Sequence, residues 1–88
     1  MSIYKEDLKL LEEKCSLFRQ GEISAEAFQG DVWTAASAIV HIDEISLRNF
    51  LENAEGDIDT IRFTVDTDKE RDAILKVVAK IEERLERE

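Results

Sequence analysis

The sequence predicts an all-α fold, an antiparallel four-helix bundle with helices at approximately residues 3–19, 25–41, 44–65 and 67–87. Three observations carry this expectation. Apolar residues recur at alternating steps of three and four through four stretches, the spacing that lines one face of a helix. Proline is absent and glycine occurs only three times, so little interrupts those stretches. Turn and cap residues fall near 20–24, 41–43 and 66, and connections that short pack consecutive helices antiparallel most simply.

In the first stretch Tyr4, Leu8, Leu11, Cys15 and Phe18 form the seam, flanked by Leu10 and Leu17, with Ser2 a possible cap. Gly21 follows, supplying the left-handed conformation that commonly closes a helix. Ser24 can cap the second helix, because its hydroxyl accepts an otherwise unpaired amide hydrogen two or three residues on. Phe28, Val32, Ala35, Ala36 and Ile39 are its buried stripe.

The third stretch allows two readings. After the cap residue Asp43, one seam runs through Leu47, Leu51, Ala54, Ile58, Ile61 and Val65, with Phe50 beside it, which makes a single helix the simplest account. Against it, Gly56 costs about 1 kcal/mol inside a helix relative to alanine. The run Ile61-Arg62-Phe63-Thr64-Val65 also alternates like a strand and is rich in β-branched residues. A strand there would lack a partner, because no other segment reads as extended. In the last stretch Thr67 and Glu70 have the spacing of a capping box, and Ile74, Val77, Val78, Ile81 and Leu85 form the stripe.

These 88 residues suffice for one domain, 1–88, because two separate cores would each have too few residues to bury. Cys15 is the only cysteine, so neither an internal disulfide nor a structural zinc site is expected, and a reducing compartment fits. No apolar run approaches a membrane span, and the N-terminal residues lack the basic region and apolar stretch of a signal peptide. The expected location is the cytoplasm.

The net charge of -9 is unevenly distributed. In residues 1–21 the bases and acids cancel, and in residues 60–88 they nearly do. Residues 22–59 hold nine acids, Glu22, Glu26, Asp31, Asp43, Glu44, Glu52, Glu55, Asp57 and Asp59, against Arg48 alone. Such a concentration attracts a cationic surface and repels nucleic acid and anionic membrane. The expected partner is therefore a basic protein. The plainer alternative is a solubilising face.

Other chemistry is poorly provided for. His41 lies between two helices with no cysteine or second histidine nearby, which suits a loop residue better than a metal ligand. Cys15 sits on the apolar seam, where a thiol packs as a small hydrophobe. Asp57 and Asp59, or Asp66 and Asp68, resemble the start of a calcium loop, but the glycine position holds Arg62 or Arg71 and the twelfth position Asp68 or Val77. A small bundle encloses little volume in which paired carboxylates could acquire separated pKa values. Neither an enzyme nor a cofactor-binding protein is expected, and catalytic and metal sites are assigned to no residue.

Trp33 is one residue from Val32, about 100 degrees around the helix from the seam. It can fill the groove against a neighbouring helix, or stand partly exposed as an interface anchor beside Gly30, Glu26 and Asp31, a role in which tryptophan is over-represented. The residues assigned to partner binding are Glu22, Glu26, Asp31, Trp33, Glu52, Glu55, Asp57 and Asp59.

The run Gly21-Glu22-Ile23-Ser24-Ala25-Glu26-Ala27-Phe28, placed after a first amphipathic helix, resembles the corresponding turn and cap of small bacterial immunity proteins of the colicin D immunity type. Leu51-Glu52-Asn53-Ala54-Glu55, a following acidic cluster and a C-terminal helix are also similar to their layout. The resemblance extends over the arrangement of the whole chain, while its motif is one turn and cap. It implies an acidic helical bundle that binds and neutralises a toxin, often a nuclease, by covering the basic substrate-binding cleft. The alternative from a different class is a non-enzymatic structural or adaptor bundle, with a homodimer as one form of it, in which acidity serves only solubility.

Overall fold

A computed structural model of the chain describes residues 3–88. It contains α1 (Lys5–Arg19), α2 (Ala25–Ala38), a 3₁₀ turn (Ile42–Glu44), α3 (Ile45–Thr64) and α4 (Thr67–Glu86), with no strand among the described residues. The helices pack in a ring: α1 on α2, α2 on α3, α3 on α4, and α4 back on α1. The molecule measures 39 × 22 × 18 Å, and a 20-residue helix contributes about 30 Å of the long dimension. Long-range contacts fix the antiparallel sense. Tyr4, before α1, meets Val40, after α2; Gln29, early in α2, meets Asp59, late in α3; Ser46, early in α3, meets Arg84, late in α4.

The seams become the core. Leu11, Cys15, Phe18, Phe28, Val32, Ile39, Leu51, Ile58, Ile74, Val78 and Ile81 are all buried. Each large aliphatic side chain so buried contributes about 1.5–3 kcal/mol relative to exposure. Phe18 and Phe28 stack across the α1–α2 hairpin with ring centroids 5.2 Å apart. Leu10, beside the first seam, is exposed instead.

The first turn forms as its residues dictate. Gly21 has φ 77°, and its N–H donates to the Phe18 carbonyl while the Glu22 N–H donates to Leu17, both at about the usual hydrogen-bond length, which satisfies carbonyls that a helix end leaves unpaired. Ser24 then caps α2, its Oγ accepting from the Ala27 N–H at 3.1 Å.

Three local expectations change, and the open reading of the third stretch resolves to a single helix. Ser2 lies outside the described residues, and α1 begins at Lys5 after Tyr4. The second helix stops at Ala38 and not at 41, because the backbone beyond it is held by other partners. The Tyr4 hydroxyl accepts from the Val40 and His41 N–H groups at 2.9 and 2.8 Å, and Arg48 donates to the Ile39 carbonyl at 3.0 Å. His41 Nδ1 accepts from the Asp43 N–H at 3.2 Å, capping the 3₁₀ turn. Residues 61–64 are helical, which removes the strand reading; Ile61 is half-buried while Phe63 points out and is 81% exposed. Gly56 sits on the open side of α3, so its cost is one of helix propensity alone. At α4 the capping box does not form. Asp66 occupies the cap position, no side chain bonds there, and Thr67 is the first helical residue.

Candidate functional site

Helical geometry decides which acids share a surface. On α3, counting 100 degrees per residue from buried Ile58, Arg62, Glu55, Asp59 and Glu52 fall within about 40–120 degrees on one side, while Asp57 falls about 100 degrees away on the other. On α2, counting from buried Val32, Gln29, Trp33 and Glu26 fall within about 60–120 degrees on the side that meets α3, while Asp31 lies on the opposite flank. The antiparallel pairing of α2 and α3 therefore brings Glu26, Trp33, Glu52, Glu55 and Asp59 onto one face. Glu22 stays exposed in the α1–α2 turn, Asp31 borders a small hollow beside Asp7 and Lys14 of α1, and Asp57 is exposed on the α4 side.

Two residues not singled out in the sequence join that face together. Gln29 donates through Nε2 to Asp59 Oδ1 at 3.0 Å and to Glu55 Oε1 at 3.4 Å. Its Oε1 accepts from Arg62 at 2.6 Å, and the Arg62 guanidinium lies 3.8 Å from the Glu26 carboxylate. One neutral amide thus bridges two carboxylates and a cation, holding α2 to α3 without neutralising the face. The signal for both residues was present: Gln29 is three residues after Glu26, Arg62 three after Asp59, so each shares its acid's flank. Farther along, Arg48 lies 3.6 Å from Glu52 while also bonding the Ile39 carbonyl.

Trp33 does not fill an inter-helix groove. It is 52% exposed and borders an open groove whose other sides are Glu26, Gln29, Gly30, Glu55 and Arg62. Exposed Phe63 and Ile45, 54% exposed, lie on the same outer flank of α3, each about 140 degrees from Ile58. The acidic face therefore carries three large apolar side chains. Val40 and Ile42 continue exposed apolar surface into the link between α2 and α3. Ile45, Phe63, Val40 and Ile42 were legible only as residues that belong to no seam.

Elsewhere the chemistry is quiet. Cys15 is buried, and burial, with a smaller contribution from Glu82, pushes its thiol up to about 12, so it is protonated and shielded near neutral pH. Among the described residues no group of three or more His, Cys, Asp or Glu side chains is arranged to hold a metal ion, and no helix is long and apolar enough to cross a membrane. No protein-family model, curated protein or solved structure matches the chain.

Proposed function

We propose that this protein is an inhibitory binding protein of the immunity or antitoxin class, which places its α2–α3 face over a basic bacterial toxin domain, in particular a nuclease, and blocks the active site. The observation that carries the reading is the face itself: Glu26 and Glu55 line the groove beside exposed Trp33, Glu52 and Asp59 share the same side of α3, and Ile45 and Phe63 are exposed on its outer flank. Carboxylates at the rim attract a cleft built for phosphate and accelerate encounter. An exposed tryptophan supplies the apolar anchor around which interface energy concentrates. Inhibition of this kind needs no catalysis by the inhibitor.

The test is affinity capture from cells of the source strain, followed by titration of the captured domain. The expected partner is a basic toxin domain whose association slows as salt shortens the screening length to about 8–10 Å. Glu52→Lys, Glu55→Lys and Asp59→Lys together should weaken binding. Glu13→Lys, Asp72→Lys and Glu86→Lys, all exposed and outside the ion pairs of the described residues, form the control of equal charge change. Equal loss in both variants, or a partner without a basic active site, would overturn the reading. The structural alternative draws support from exposed Val40, Ile42 and Ile45. It requires a dimer by sedimentation that Ile42→Asp dissociates.

A further inference from the structure

We propose that the α2–α3 groove receives one arginine side chain of the partner, its guanidinium stacked on the Trp33 ring between Glu26 and Glu55. This rests on reading the α2–α3 face as the docking surface and specifies what occupies its centre. Three independent features of the groove converge on a guanidinium.

The first is the ring. Phe18 and Phe50 each carry an arginine of this chain over their faces, Arg71 at 5.0 Å and Arg84 at 5.2 Å from the ring centroid. Trp33, whose ring attracts cations more strongly than phenylalanine, has no such contact among the described residues. The second is the wall chemistry. The Glu26 side chain is 83% exposed, and the groove already seats a guanidinium at one end, where Arg62 bonds Gln29 and approaches Glu26. A planar fork of donors suits such walls better than a compact ammonium does.

The third is Gly30. It lies inside α2, where glycine weakens the helix, yet a Cβ built on it would meet nothing within 4 Å. Nothing in the chain's own packing requires the missing side chain. What glycine does keep clear is the groove beside Trp33, which a larger residue would narrow.

The probe is a blocked tetra-arginine peptide compared with tetra-lysine of equal charge, followed through the fluorescence of Trp33, the only tryptophan. Tetra-arginine should bind about five-fold or more tightly than tetra-lysine and perturb the emission. Glu26→Gln with Glu55→Gln should remove that preference, while Glu13→Gln with Glu86→Gln should retain it. Gly30→Leu should fold at least as stably, because it improves helix propensity, and yet lose tetra-arginine binding. Trp33→Leu, followed by calorimetry, should bind the two peptides equally. Equal binding of both peptides to the unaltered protein, or full binding by Gly30→Leu, would overturn the arginine site. Either result leaves the inhibitory function to be judged by the capture experiment. Conversely, an arginine preference alongside capture of a partner lacking a basic active site retains the groove and rejects that function.

Discussion

Between α1 and α4, Arg19 reaches across to Glu82 and bonds both carboxylate oxygens, and Arg71 crosses back to the Arg19 carbonyl at 2.8 Å. Between α2 and α3 the cations are Arg48 and Arg62, set against four carboxylates on the shared face, and neutral Gln29 bridges the helices beside the Arg62–Glu26 pair. Each helix gives the core a comparable set of buried apolar side chains, but α2 packs against α3 far more extensively than α1 against α4. The pairs also differ in charge: α1–α4 is crossed by the well-formed Arg19–Glu82 pair, while α2–α3 combines apolar contact and the Gln29 amide with the looser Arg62–Glu26 pair and keeps an excess of carboxylates on its shared face. Self-repulsion on that face lowers stability somewhat. Packing must therefore supply most of what keeps α2 against α3.

The largest effect should come from breaking that packing. Ile58→Asp places a charge in a site with no exposure and should cost about 3–5 kcal/mol in denaturant unfolding, enough to unfold much of the population. Phe63→Asp, five residues on but outward-facing, should change stability by only about 0.5 kcal/mol. Similar damage from both would mean that α2–α3 stability is not carried by the seam.

On the α1 side the buried group to probe is Cys15. Its native thiol holds the proton up to about 12, whereas the unfolded chain releases it near 9.0. Its contribution is fully present below about pH 9 and is lost as pH rises toward 12, at about 1.4 kcal/mol per unit. Cys15→Ala should lack that component, so the two stability curves should converge with rising pH. Parallel curves would show that the thiol ionises in place.

A smaller effect tests the hinge between the pairs. Ser24→Ala removes the bond to the Ala27 N–H and should cost about 1 kcal/mol, read from the shift in urea midpoint. The smallest concerns the ion pair itself. A double-mutant cycle on Arg19→Ala and Glu82→Ala should return about 0.2–1 kcal/mol, since both side chains are partly exposed, and less in high salt. A coupling near zero would make α1–α4 as dependent on apolar contact as α2–α3.

Ile58, Phe28 and Ile81 were legible in the sequence because a buried helical position repeats every three or four residues whatever the neighbouring helices do. Ser24 and Gly21 were legible because their chemistry acts within a few residues. Trp33 was not: a residue 100 degrees off the seam is covered or bare according to how two helices sit, which periodicity along one helix does not contain. The end of α2 was hidden for a similar reason. Ile39-Val40-His41 holds no glycine or proline, and the bonds that draw it out of the helix come from Tyr4 and Arg48, remote in sequence. Asp57 and Asp59 show the converse. Simple angular counting from Ile58 separates them, although their shared charge and proximity in sequence grouped them.

The Tyr4 hydroxyl has a dynamic consequence. By accepting the amides of both Val40 and His41, it fastens the residue preceding α1 to the segment that joins α2 to α3. Fraying of α1 at that end must release those two amides, and loosening of the link must release the tyrosine, so the two fluctuations belong to one cooperative opening unit. The link carries exposed Val40 and Ile42 and leads directly into Ile45 at the start of α3. Whatever quiets the link also quiets the start of α1, and the entropy lost in ordering one is shared with the other.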